Sequence, residues 1–211
     1  MINFLVILFA VSLLYIALTS RMEAYVKILF FQGLIIFLVV TLEATVLGSI
    51  TYIFLLVETL GFKTIIIPWI LFREIRRMDV RREMEPDKMN FHSLVIVTLI
   101  LAFSFVLAFM SRKYSVEIKP IHFGVSIATI LTGLYVIMSR KKIMTHILGF
   151  IVLENGIFLL SLSIAKEMPL IVNLGVLLDI FIGVFLLLVV LKGIHSTFEE
   201  IHIDKLTGLT D

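Results

Sequence analysis

The sequence predicts an all-α, polytopic membrane protein with seven transmembrane helices, its N-terminus outside and its C-terminus in the cytoplasm. Of its 211 residues, 60% are hydrophobic, and the mean hydropathy is +1.12. A soluble domain of this length leaves too much of its surface in water to bury that apolar content, so lipid is the expected solvent. Backbone polar groups in lipid must be satisfied within their own segment, which makes helices the expected form of each span.

Seven runs of the chain are long and apolar enough to cross a bilayer core, which takes about 20 residues of helix. In chain order they are 2–20, 24–42, 47–72, 93–111, 121–139, 143–165 and 170–191. The first run lacks the basic segment of a cleavable signal, so we expect an uncleaved helix. The third is the least regular, because Glu58 and Lys63 interrupt it and Pro68 can kink it.

The positions of the basic residues predict the orientation. Alternating spans place 13 of the 18 lysines and arginines on one side and four on the other, with Lys63 inside the third span. The positive-inside bias then puts the N-terminus outside and the C-terminus in the cytoplasm of a multi-pass protein of the inner (cytoplasmic) membrane. The formal net charge is only +2, and the basic residues lie between apolar runs, which argues against nucleic acid as a partner.

The chain is expected to divide into three parts. Residues 1–92 form a three-span unit with a cytoplasmic loop, 93–120 a linking fourth span, and 121–211 a second three-span unit with a short cytoplasmic tail. The loop at 73–90 alternates acidic and basic residues. This pattern is typical both of a solvated cytoplasmic connection and of a docking surface for a soluble partner, and both interpretations stay open. A short match of 28–38 to 147–160, pairing Gln32-Gly33 with Asn155-Gly156, raises a duplicated helical unit as an alternative organisation.

Two carboxylates are expected at the same depth inside the membrane. Spans six and seven are joined by the short turn 166–169, and Glu154 precedes Glu167 by 13 residues while Asp179 follows it by 12. At 1.5 Å of rise per residue, both fall near the midplane, where ionisable residues are costly and usually functional. Two such groups can share a proton and pass it on. The alternative is a structural role, in which each carboxyl group stays protonated and hydrogen-bonds a neighbouring helix.

Span three contributes two more ionisable residues, Glu58 and Lys63. Five residues apart, they project about 140° apart around an α-helix, so a direct pair between them is not favoured. A lysine away from water either takes part in proton exchange or pairs with a carboxylate, which is Glu58 or one from another helix or subunit. His146, near the start of span six, is a secondary candidate; the alternative is that it is simply solvated, as histidines at helix ends commonly are.

No catalytic centre and no metal site are expected in this chain. It has no cysteine, which excludes disulfides, iron–sulfur ligation and thiolate metal sites. His122 and His146 lack the neighbouring ligands that a metal ion needs. The chain also has no P-loop, dinucleotide fingerprint or zinc-protease motif.

One stretch of the chain has a familiar pattern. The run HILGFIVLENG at 146–156 resembles the glutamate-bearing helix of the E subunit of hydrogenase-4, in which Glu-Asn-Gly follows a Gly-Phe or Gly-Tyr pair. Asp179 stands at the matching place in the next helix, the tail at 203–209 resembles the family's C-terminal pattern, and Lys63 and Pro68 resemble its lysine and proline in the third span. The last three helices also resemble the K subunit of respiratory complex I. One departure is that span seven carries aspartate where glutamate is expected.

This resemblance implies a membrane-arm subunit of a group 4 nickel–iron hydrogenase of the formate-hydrogenlyase type. Glu154, Asp179 and Lys63 would relay protons, with Glu58 and His146 as possible secondary stations. The nickel–iron centre and the iron–sulfur clusters would lie in partner hydrogenase subunits, beside antiporter-like membrane subunits, and this chain would hold no cofactor. Two alternatives remain: a C-like subunit of a multi-subunit cation/proton antiporter, and a purely structural scaffold of the membrane arm.

Overall fold

The computed structural model is helical throughout the residues that it describes, which are 1–43, 49–77, 88–111, 119–140, 143–164 and Gly183. The chain divides into two compact units, Met1–Val176 and Leu177–Asp211. Apart from Gly183, the predicted seventh span and its Asp179 lie outside the described residues, as does most of the predicted 73–90 loop.

The helices of the first unit follow the predicted spans closely. In chain order they are α1 (Ile2–Leu18), α2 (Met22–Leu42), α3 (Ser49–Val57), a π-helix (Glu58–Ile66), α4 (Ile67–Arg77), α5 (Lys88–Ser111), α6 (Pro120–Ser139) and α7 (Ile143–Ile164). Among the described residues, five stretches are long and apolar enough to cross a membrane, and α1, at 17 residues, is a shorter apolar helix. The described part of the chain is therefore an all-helical, multi-pass membrane protein.

The third predicted span is one continuous helical rod made of α3, the π-helix and α4. Its irregularity lies immediately before Pro68, which stands in the first turn of α4. Proline has no N–H to donate and its ring crowds the carbonyl of the preceding turn, so membrane helices accommodate it by local widening to π geometry. The wider turns thus extend over Glu58 to Ile66, the segment that holds both ionisable residues of this span.

Glycines allow α6 and α7 to pack with their backbones almost touching. A Cβ atom added at Gly133 would lie 2.6 Å from the backbone nitrogen of Leu153, and one at Gly156 would lie 2.7 Å from that of Ile130. Only a residue without a side chain fits such an approach. The contact fixes the face of α7 that is turned away from α6 toward the remaining helices.

Helix α2 packs against α1, the π-helix, α4 and α7. A Cβ atom at Gly33 would lie 2.9 Å from the carbonyl oxygen of Lys63, so α2 meets the π-helix at backbone distance. Gln32, the preceding residue, is 0% exposed. The midpoints of α2, the π-helix and α7 therefore converge on one buried region, and the candidate site lies there.

Candidate functional site

A buried ion pair joins the π-helix to α7. The ammonium nitrogen of Lys63 lies 3.2 Å from Oε1 of Glu154, across 91 residues of sequence. The two residues are only 5% and 1% exposed. The carboxylate partner of Lys63, which the sequence left open, is thus supplied by another helix of the same chain.

The energetics of such a pair depend on both members being present. The cost of removing two charges from water is offset in part by their mutual attraction, whereas deleting one leaves an uncompensated buried charge at a cost of about 3–5 kcal/mol. Such a pair can also take up and release a proton. One proton taken up by Glu154 changes the charge of the pair from zero to +1, and its release restores the pair.

An aromatic ring contacts the same ammonium group. The centroid of the Phe158 ring lies 4.6 Å from the Lys63 nitrogen, and the ring is buried at 3% exposure. Glu154 and Phe158 are four residues apart in α7, so they lie on one face of the helix. Lys63 therefore meets a carboxylate and an aromatic face on successive turns of α7.

A hydrogen-bonded chain of neutral side chains begins beside Glu154 and crosses to α1. Asn155 donates to Oε1 of Gln32 at 3.2 Å, Gln32 donates to the hydroxyl of Ser12 at 2.8 Å, and Ser12 donates to the carbonyl of Phe9. The last acceptor has no proton to pass on, so the chain orients side chains rather than conducting protons. It ties α7 to α2 and α1 at the residue next to the ion pair.

Gln32 and Ser12 were missed as site residues by the sequence reasoning. The sequence singled out Gln32 only because its segment faintly matches the segment around Asn155. In the structure, these two residues share a hydrogen bond. Its signal was a polar amide in the middle of an otherwise apolar span, flanked by a glycine. Ser12 had no distinguishing signal, because serine is common in membrane helices.

The π geometry changes the relation between Glu58 and Lys63. In an α-helix, residues five apart point in different directions, but the i→i+5 bonding of a π-helix brings them into line. Residues five apart in this π-helix do lie close together, since the hydroxyl of Thr64 donates a hydrogen bond to the carbonyl of Thr59 at 2.8 Å. Both Glu58 and Lys63 are buried, and Lys63 forms an ion pair with Glu154 of α7. The expectation that a direct pair between Glu58 and Lys63 is not favoured stays a prediction.

Of the remaining predicted residues, His146 is not brought to the ion pair. His146 lies in the first turn of α7, part-exposed and eight residues before Glu154, or about 12 Å along the helix at 1.5 Å per residue. Asp179 lies outside the described residues. The described residues therefore assemble two of the three principal candidates, Lys63 and Glu154.

Charged residues also tie the helix ends. At one end of the bundle, Lys119 before α6 forms an ion pair with Glu43 at the end of α2. At the opposite ends of the same helices, the buried guanidinium of Arg140 lies 3.5 Å from the hydroxyl of Tyr25. These contacts join α2 and α6 at both ends, with the two helices antiparallel.

Residues 121–211 match the family model described as NADH-ubiquinone/plastoquinone oxidoreductase chain 4L. The chain is also 26% identical over 117 residues to hydrogenase-4 component E of Escherichia coli strain K12. The family resemblance predicted from the sequence is confirmed. That alignment covers 56% of this chain and 54% of the relative, so the chain spans about half of that relative's length.

A second relative matches almost throughout. An uncharacterised protein of Mycobacterium tuberculosis is 25% identical over 197 residues, which cover 90% of this chain and 87% of the relative. No solved structure matches the chain. Together, the family match and the helices support a multi-pass membrane subunit of a complex I-like assembly.

The ion pair crosses the boundary of the family match. Glu154 lies inside residues 121–211, and Lys63 lies outside them. The chain 4L-like part thus receives its cationic partner from the N-terminal half of the chain.

Proposed function

We propose that this chain is a membrane-arm subunit of a group 4 nickel–iron hydrogenase complex of the formate-hydrogenlyase type, and that it carries part of the proton pathway. The similarity to hydrogenase-4 component E supports the choice of complex. We place the protein in the inner membrane with its N-terminus outside. The nickel–iron centre, the iron–sulfur clusters and the antiporter-like subunits belong to its partners.

The buried Lys63–Glu154 pair carries the proposal. A charged pair at the meeting point of three helix midpoints is costly to build, and ionisable residues at such depth serve ion movement in most membrane proteins. A scaffold would be served better by apolar packing, which is often as stable as a buried pair or more so. The pair therefore favours a proton-handling role over a purely structural one.

The relay proceeds by protonation of Glu154 and its release. A proton arriving at Glu154 converts the carboxylate to the acid and leaves Lys63 with its charge. The proton then leaves toward Asp179, which the sequence places at matching depth on the next span, while Lys63 re-forms the pair. Glu58 and His146 are secondary stations of the proposed pathway.

Glu154→Gln tests this function, because glutamine keeps the shape of the side chain but cannot take up or release the proton. In inverted membrane vesicles that contain the whole complex, hydrogen evolution and proton uptake are measured together. We expect the number of protons moved per hydrogen evolved to fall by about tenfold or more. The complex should still purify with its hydrogenase subunits.

Glu23→Gln is the matched control, since Glu23 lies in the first turn of α2, away from the buried pair. It should leave coupling unchanged. Full coupling in Glu154→Gln would refute the proton role. Purification without hydrogenase subunits, together with sodium-dependent proton exchange in vesicles, would favour the antiporter alternative.

A further inference from the structure

The Lys63 ammonium has two neighbours on α7 that respond differently to a proton. The carboxylate of Glu154 lies 3.2 Å away, and the ring of Phe158 lies 4.6 Å away at its centroid. Protonation abolishes the charge of the carboxylate. The negative face of an aromatic ring does not titrate, so its attraction for the ammonium persists.

We propose that Phe158 is a positioning residue of the relay, whose ring holds the Lys63 ammonium in place while Glu154 carries a proton. This inference rests on the proposed proton role of Glu154. Glu154 gains one proton and becomes neutral, Lys63 keeps its three, and no electron moves. When Glu154 loses the proton, the ammonium is still within reach and the pair closes again.

Burial strengthens the attraction between the Phe158 ring and the Lys63 ammonium. Phe158 is 3% exposed and Lys63 is 5% exposed, and cation–π contacts are strongest where water is absent. When the neighbouring carboxylate becomes neutral in such a place, the ring remains beside the ammonium group as an attractive contact that does not titrate. The ring therefore keeps the ammonium within reach of Glu154 in the protonated intermediate, through which every transferred proton passes.

A simple packing role for Phe158 makes a different prediction. A core aromatic residue acts through its shape, and a ring of the same shape with a weaker negative face would pack equally well. A ring that holds a cation acts through its electrostatic face, and its effect must follow the electron density of the ring. Fluorination separates the two, because fluorine atoms withdraw electron density with little change in size.

The experiment replaces Phe158 in the whole complex with mono-, di- and trifluorinated phenylalanine and measures coupled proton movement in vesicles. We expect the rate to fall in steps as fluorine atoms are added, by about tenfold over the series. Phe158→Leu should lie at the low end and Phe158→Trp should retain the rate. Time-resolved infrared spectra of the Glu154 carboxyl group should show its ionised form returning more slowly in the same order.

The same fluorinated residues at Phe150, which lies on α7 and is exposed, form the matched control and should leave the rate unchanged. Equal rates throughout the Phe158 series would overturn the role of the ring. If Glu154→Gln loses coupling while that series has no effect, only the role of Phe158 is refuted. If Glu154→Gln retains full coupling, the proposed function itself fails.

Discussion

At the scale of single residues, the site depends on amides as much as on charges. Gln32 and Asn155 occupy corresponding places in two faintly similar segments and form a hydrogen bond between them. Each amide is buried, so a polar group left without its partner there would keep its full desolvation cost. Asn155 is adjacent to Glu154, and its orientation therefore bears directly on the ion pair.

Gln32→Leu should destabilise the protein, because it removes the acceptor of Asn155 and the donor to Ser12 from a dry region. We expect a loss of about 1–3 kcal/mol, measured by thermal unfolding in detergent. Thr98→Val, which removes an exposed hydroxyl whose bond stays within its own helix, is the control and should be near neutral. The exchange Gln32→Asn with Asn155→Gln should recover part of the loss; an equal loss in the exchanged protein would contradict a specific pair.

The two residues of the ion pair were predictable from the sequence, but the contact between them was not. Lys63 and Glu154 stand out because each interrupts an apolar span. Their contact spans 91 residues, and no periodicity of one helix reports which face of another it meets. Phe158 carried no signal at all, since an aromatic residue in a membrane helix is ordinary until a cation is found beside it.

At the scale of elements, backbone irregularity and close approach determine where the site forms. The sequence indicated a disturbance near Pro68, but the length of the π-helix depends on what packs against it. Gly33 of α2 brings one backbone against it, and α7 supplies the carboxylate. Span boundaries were predictable because they follow from apolar length alone, whereas the turn geometry within a span was not.

Gly133→Ala should weaken the packing of α6 on α7. The added methyl group would lie 2.6 Å from the backbone nitrogen of Leu153, and backbone yields less readily than a side chain. We expect a destabilisation of about 1–3 kcal/mol in unfolding experiments in detergent. Gly61→Ala is the matched control: nothing lies within 4 Å of its added methyl group, so it should be neutral or slightly stabilising. Similar losses in both variants would argue against a close contact.

At the scale of the whole molecule, the ties at the helix ends constrain how the chain crosses the bilayer. Glu43 pairs with Lys119 at one end of α2 and α6, and Tyr25 meets Arg140 at the other. These contacts require the end of α2 and the start of α6 to lie on the same side of the membrane. The charge bias in the sequence adds the prediction that this side is the outside.

The absence of native cysteine makes that prediction directly measurable. Glu43→Cys should react with a membrane-impermeant maleimide added from the outside, while Arg21→Cys, between α1 and α2, should react only after the membrane is opened. The reverse pattern would place the N-terminus in the cytoplasm. Equal labelling of both from one side would mean that α2 does not cross the bilayer.

The ion pair that crosses the boundary of the family match limits how this subunit can be shortened. A version trimmed to residues 121–211 would keep Glu154 and discard Lys63. Its carboxylate would then be without the countercharge that its own N-terminal half now provides. Any shortened variant of this protein must therefore either include Lys63 or pair Glu154 with a cation from a neighbouring chain.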